Sequence, residues 1–82
     1  MKAKPRSKKK PKYVYEKALK AFGKNFKRLK DESGLTYEAI SEMSGVSIPA
    51  LIGAQQERNL LNLVNAANLA AVFDVKVEEL LS

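Results

Sequence analysis

The chain of 82 residues contains no cysteine and no histidine. It therefore cannot form a disulfide framework or a thiolate metal site, and it lacks the usual general base and the usual nitrogen ligand of zinc. No apolar run approaches the roughly 20 residues of a bilayer-spanning helix, and the basic N-terminus lacks the apolar segment of a secretory signal. These absences predict a cytoplasmic protein without metal, cofactor or small-molecule ligand, and they argue against an enzyme.

Acidic residues are missing from the front of the chain. Residues 1–12 hold seven of the 15 basic residues and no acid, which leaves eight basic against nine acidic residues in 13–82. A dense positive segment attracts a polyanion, so nucleic acid is favoured, with an anionic membrane surface or a plain solubilising tail as alternatives. A membrane is disfavoured because the segment has no leucine or aromatic residue to insert. With two prolines and little apolar surface, 1–12 is expected to be a disordered basic arm.

Helical signals begin at residue 13 and continue to the end of the chain. Apolar residues every three or four positions predict a first helix, which Gly34 ends in a left-handed conformation. Thr36, Ser47 and Asn62 are the expected N-caps of a second, third and fourth helix, and Pro49 fits only the first turn of the third. KVEELL predicts a short fifth helix. The buried candidates of the fourth helix are Leu63, Ala66, Ala67, Leu69, Ala70 and Phe73.

This pattern contains no strand and predicts one compact, all-α, five-helix domain over 13–82, after the flexible arm of 1–12. Residues 35–56, LTYEAISEMSGVSIPALIGAQQ, read as helix, glycine turn and helix. Ser41 and Gly45 are small where these two helices must approach closely. The spacing is that of a helix-turn-helix, in which the second helix is presented to the DNA major groove.

The stretch 34–81 resembles the lambda-repressor/Cro-type helix-turn-helix family without a gap. The resemblance is carried by LTYEAISEMSGVS, with its glycine-valine-serine turn, and by NLAAVFDVKVEELL, with its valine-x-valine-acid-acid-leucine ending. The lambda-repressor type also has a lysine-rich arm, matched here by KKKP at 8–11, and asparagines at the positions of Asn59, Asn62 and Asn65. The resemblance implies a lambda-repressor-like, sequence-specific transcriptional regulator of phage or plasmid type, with repression as its expected action.

The expected recognition helix, 47–57, is poor in base-reading side chains. Its outward positions are predicted to be Ile48, Pro49, Ile52, Gly53 and Gln56. No lysine or arginine occurs anywhere in 31–57. In one interpretation the apolar residues pack on thymine methyl groups, Gly53 lets the helix lie deep in the groove, and Gln56 meets a base or phosphate, with part of the specificity coming from DNA shape. In the other, the exposed Ile48/Pro49/Ile52 surface binds a protein, as in an antitoxin or antirepressor-like interaction module.

Asparagine recurs every third residue at 59, 62, 65 and 68. The resemblance places Asn59 in the loop after the recognition helix, near base edges and phosphates. Asn62 and Asn65 lie at the start of the fourth helix, and a helix N-terminus binds phosphate through its free N–H groups and dipole. Asn68 is expected to be solvated. The candidate DNA-binding residues are Lys8, Lys9, Lys10, Lys30, Tyr37, Ser47, Ile48, Pro49, Ile52, Gly53, Gln56, Asn59, Asn62 and Asn65.

The expected partners are double-stranded DNA and a second copy of the chain. The resemblance places the dimer contact in the last helix, which here ends at residues 80–82, a turn or two shorter than expected. Leu81 either pairs across a twofold axis or closes the core. The sequence therefore predicts a homodimer that is weak or dependent on DNA.

Overall fold

Five helices form the part of the protein that the structure describes, residues 11–82. In this computed structural model they are α1 (Tyr15–Ser33), α2 (Tyr37–Ser44), α3 (Ile48–Gln55), α4 (Leu63–Val72) and α5 (Val77–Leu81). Between residues 11 and 82 there is no strand. The predicted all-α, five-helix architecture is confirmed. Most of the predicted arm, including Lys8, Lys9 and Lys10, lies outside the described residues.

The core lies between α1 and the four helices that follow it. α1 packs against α3 and α5, while α2 packs against α3 and α4. Every helix contributes at least one fully buried apolar side chain, and the largest such residues are Phe22, Phe26, Ile40, Val46, Leu51, Leu69 and Leu80. Full burial of a leucine or phenylalanine stabilises the fold by about 1.5–3 kcal/mol. Three of these residues, Ile40, Val46 and Leu51, lie in the helix-turn-helix, which is thus anchored in the core.

Gly23 within α1 and Gly34 directly after it are needed for different reasons. Gly34 ends the helix as predicted, because its φ of +74° lets its backbone N–H donate to the carbonyl oxygen of Lys30 at 3.0 Å. Gly23 is buried in the middle of the helix, where the end of α3 crosses it. A Cβ at Gly23 would lie 2.7 Å from Cγ of Glu57 and 2.9 Å from the carbonyl oxygen of Ala54. An internal glycine destabilises the helix by about 1 kcal/mol, but here it allows the end of α3 to pack closely against α1.

α4 buries a narrower face than the sequence predicted. Ala66, Leu69 and Ala70 are buried as expected. The prediction for Leu63 is wrong, since 78% of this residue is exposed, and Ala67 is exposed too. Leu63 opens the helix one turn before the buried stripe, and Ala67 follows Ala66 onto the adjacent face. Helical periodicity identified the apolar positions but did not reveal how far the neighbouring helices reach.

Besides apolar packing, one side-chain amide of α1 forms hydrogen bonds to α5. Nδ2 of Asn25 donates to the carbonyl oxygens of Glu79 and Leu80, each at 3.1 Å. These carbonyls belong to the last turn of α5 and have no partner within the helix. A cleft beside this contact is lined by residues from both ends of the described chain, among them Lys12, Lys17 and Ser82. The first and last helices therefore lie side by side.

None of the five helices in residues 11–82 combines the length and the apolarity that a bilayer crossing requires.

Candidate nucleic-acid interface

The turn between α2 and α3 fixes the direction of α3. Gly45 has a φ of +77° and its N–H donates to the carbonyl oxygen of Ser41 at 2.8 Å. The buried Ser44 hydroxyl donates to the carbonyl oxygen of Ile40 (2.7 Å) and accepts from the N–H of Val46 (3.1 Å). From the sequence, Gly45 was predicted to be small because two helices approach closely there. That reason is wrong, since a Cβ at Gly45 would meet nothing within 4 Å. Its positive φ is the reason for glycine.

α3 begins at the predicted cap and turns one face outward. The Ser47 hydroxyl accepts from the N–H of Ala50 at 3.3 Å, and Pro49 lies in the first turn, where its missing N–H costs nothing. Leu51 and Ala54 are buried under the helix. The outer positions are then graded: Pro49 and Gln56 are exposed, while Ile48 and Ile52 are half-buried.

Gly53 does not face outward, and that prediction is wrong. The residue is buried, because the side chain of Asn59 lies over it. A Cβ at Gly53 would come within 2.6 Å of Asn59 Oδ1. The chain returns along α3 after the helix ends, so a residue six positions later covers the glycine.

A Schellman turn at the end of α3 brings the chain back. The N–H of Arg58 donates to the carbonyl oxygen of Gly53 at 2.9 Å, and the N–H of Glu57 donates to that of Ala54 at 3.1 Å. The left-handed position of this turn, usually glycine, is Glu57, with a φ of +61°. Such a backbone costs a non-glycine residue about 1–2 kcal/mol. No glycine signals the turn in the sequence.

The four asparagines take different positions. Asn59 is exposed beside α3, and Asn62 caps α4 as predicted, its Oδ1 accepting from the N–H of Asn65 at 2.8 Å. Asn65 is half-buried and Asn68 is exposed. The recurrence in the sequence is thus explained in part by capping and in part by the loop that follows α3.

Lys30 and Tyr37 come together at the start of α2. The Lys30 ammonium lies 4.5 Å from the centroid of the Tyr37 ring, a cation–π distance. The edge of that ring packs on Phe26, with 6.5 Å between centroids. Both residues are half-buried, and their contact places the ammonium beside the helix-turn-helix. Sequence reasoning named both residues but not the contact between them.

Basic residues flank the helix-turn-helix on both sides in the sequence, but none lies within it. Residues 31–57 carry five acids and no base. On α1, Lys27 pairs with Asp31 at 3.3 Å and Arg28 with Glu32 at 3.4 Å, and both pairs are exposed. Such pairs contribute about 0–1 kcal/mol. Arg58, just beyond α3, is exposed.

An apolar surface that the sequence did not predict lies on α4. Leu63 and Val64 are 78% and 67% exposed, and no residue of α4 is charged. A groove beside Leu63 has a largely apolar lining that includes Leu60, Leu61 and Leu81. We call Leu63, Val64 and this groove the α4 surface. In residues 11–82 no group of three or more acidic residues is arranged to hold a metal ion.

Comparison with solved structures finds a match over most of the chain. The structure of the restriction-modification controller protein C.AhdI from Aeromonas hydrophila superimposes with a TM-score of 0.69 and 29% sequence identity. The match covers 76% of this chain and 94% of that one. No protein-family model matches the sequence, and no curated protein matches it significantly. The match confirms the predicted resemblance to the lambda-repressor-like helix-turn-helix proteins.

Proposed function

We propose that this chain, which has the lambda-repressor-like helix-turn-helix fold, is a sequence-specific, double-stranded DNA-binding transcriptional regulator. The observation that carries the proposal is its likeness to a controller protein over nearly the whole of that protein's length. The likeness is to a controller and not to an enzyme, in agreement with the sequence prediction. Repression, as in phage- or plasmid-type regulators, is the action that the resemblance favours.

In this proposal α3 enters the major groove with an apolar and amide surface. Ile48, Pro49 and Ile52 contact thymine methyl groups, and Gln56 reaches a base or a phosphate. The half-burial of both isoleucines keeps this surface small. A small direct contact leaves much of the specificity to the shape and deformability of the DNA.

Phosphate contacts come from residues around α3. Lys30, positioned on Tyr37, lies at the edge of the helix-turn-helix, and the lysines at 8–10 extend the positive charge. The start of α4, with Asn62 and Asn65, offers N–H groups and a dipole that favour phosphate. Ser47 stands at the corresponding position of α3. Because 31–57 has no base, we expect these flanking groups to supply most of the affinity.

The alternative is a protein-interaction module that uses Ile48, Pro49 and Ile52. The structure gives it less support than the sequence did, because the two isoleucines are half-buried. The large apolar side chains with the greatest exposure are elsewhere, on α4 among other places.

Salt dependence tests the proposal. Binding to a random-sequence duplex is measured by fluorescence anisotropy at a series of salt concentrations. Each phosphate contacted should contribute about −0.9 to the slope of log K against log salt. Lys30→Ala should reduce the slope by about 1, whereas Lys76→Ala, at the start of α5, should leave it unchanged. A flat response, or no binding at low salt, would contradict the proposal.

We also propose that two copies associate through the α4 surface, as a weak or DNA-dependent dimer. Pairing places two α3 helices on half-sites about one helical turn apart. The surface is apolar and uncharged, so two identical copies meet without repulsion there. The exposed positions of α5 and its N-cap, by contrast, are charged: Lys76, Glu78 and Glu79. This favours α4, with Leu81 at its edge, over the last helix alone.

Leu63→Glu tests the dimer, because an acid in the first turn of a helix is favourable and the fold should be kept. We expect the variant to sediment as a monomer at concentrations where the unchanged protein self-associates. Met43→Glu, at a 59% exposed position on α2, is the matched control and should not alter sedimentation. Equal self-association of all three proteins would place the contact elsewhere.

A further inference from the structure

The side chain of Asn59 lies against Gly53. The three atoms nearest to a Cβ built there all belong to Asn59, at 2.6 Å (Oδ1), 3.4 Å (Cγ) and 3.6 Å (Nδ2). Gly53 is the first residue of the segment 53–58 that the Schellman turn closes, and its carbonyl oxygen accepts from the N–H of Arg58. The turn therefore fixes the backbone one residue before Asn59, and the glycine leaves room for the Asn59 amide.

The backbone of α3 does not require glycine at this position. Gly53 lies within a helix and has no positive φ, unlike Gly34 and Gly45. The atoms nearest to an alanine Cβ there belong to the end of a flexible side chain, which can rotate away. The fold would thus tolerate a Cβ at Gly53, but the Asn59 amide would have to leave its present position.

The Asn59 amide is available to a ligand. The residue is exposed, and none of the side-chain hydrogen bonds within residues 11–82 involves the Asn59 amide. A carboxamide can pair with the edge of an adenine or donate to a phosphate. An amide that already lies in one place loses less conformational entropy on binding than one that moves freely.

We propose that Gly53 is a positioning residue, an inference that rests on the proposed DNA-binding function. The absence of a side chain at Gly53 allows Asn59 to lie against α3. In that position the Asn59 amide contacts DNA beside the recognition helix. Gly53 itself touches no base. Its effect on sequence preference acts entirely through Asn59, which makes the two residues one functional unit.

A double-mutant cycle tests this coupling. Gly53→Ala, Asn59→Ala and the double variant are compared on a duplex selected by the unchanged protein from a random pool. Each single variant should bind about tenfold more weakly, within the range expected for one base contact, and the double variant no more weakly than either. Gly53→Ala should melt at or above the temperature of the unchanged protein, since alanine favours the helix. Full affinity of Gly53→Ala, or losses that multiply in the double variant, would overturn the proposal.

A measurement without DNA separates this inference from the proposed function. Side-chain amide relaxation by NMR should show Asn59 ordered in the unchanged protein and mobile in Gly53→Ala, with the exposed Asn68 as a mobile reference. Asn59 as mobile as Asn68 in the unchanged protein would overturn the positioning role. Ordered Asn59 in a protein that binds no duplex would instead contradict the DNA-binding proposal and, with it, the use of the positioned amide.

Discussion

The two turns that border α3 are built in opposite ways. The turn before it has glycine at the left-handed position and a buried serine that forms two hydrogen bonds. The turn after it has Glu57 at the left-handed position, and residues 56–59 are all exposed. The first turn sets the angle of α3 with little strain. The second retains strain in a segment that carries candidate contacts, as exposed functional loops commonly do.

Removal of the Ser44 hydroxyl should have the largest effect on stability. Ser44→Ala leaves the buried N–H of Val46 without a partner, which we expect to lower the free energy of unfolding by about 1–3 kcal/mol. Urea denaturation measures the change. Ser33→Ala is the matched control, because at the exposed end of α1 the Ser33 hydroxyl also donates to a preceding carbonyl, that of Lys30, and accepts from the N–H of Leu35. A similar loss in both variants would show that burial does not set the cost.

Gly45→Ala should follow, with a loss of about 1–2 kcal/mol from the left-handed backbone alone. Space is not limiting at Gly45 or at Gly34, where a Cβ would also meet nothing within 4 Å. Gly34→Ala should therefore lose a similar amount in the same denaturation experiment. A much greater loss at Gly45 would mean that the turn before α3 contains strain beyond its φ.

The turn after α3 should respond with the opposite sign. Glu57→Gly relieves the left-handed strain but adds freedom to the unfolded chain, so we expect a net gain of about 0.5 kcal/mol in the free energy of unfolding. Asp74→Gly, at a φ of +56°, is the control and should gain less, because aspartate tolerates this backbone better. If Glu57→Gly lost stability, the contact of this side chain with Gly23 would outweigh the strain.

The smallest effect should come from the charge of Glu57. Glu57→Gln keeps the side-chain shape and removes a negative charge beside α3. We expect unchanged stability and at most about twofold tighter binding to duplex DNA at low salt, an advantage that screening removes near 1 M salt. Tighter binding that persists at high salt would point to a new hydrogen bond instead of lost repulsion.

The N-caps are the features that the sequence predicted correctly. Thr36, Ser47 and Asn62 were predicted as caps and accept the expected backbone N–H groups. Capping depends on a few neighbouring residues, so its signal is local. The candidate contacts themselves, apart from their placement, stay predictions.

The errors concern positions decided by distant neighbours. Helical periodicity predicted that Gly53 faces outward, but the chain returns over it after the end of α3. The turn that brings the chain back has Glu57 at the position where glycine is usual, so the sequence did not indicate it. Leu63 was predicted to be buried, but within residues 11–82 it is left 78% exposed. Periodicity gives the faces of a helix, whereas the element that covers each face depends on tertiary contacts that one sequence does not show.

The cleft shared by Lys12, Lys17 and Ser82 has a practical consequence for spectroscopy. A fluorophore attached at position 82 would lie beside two cationic side chains, near the point where the basic segment joins the folded domain. Its emission would then report on polyanions that gather at this edge, with no label on the lysines themselves and no change to α3.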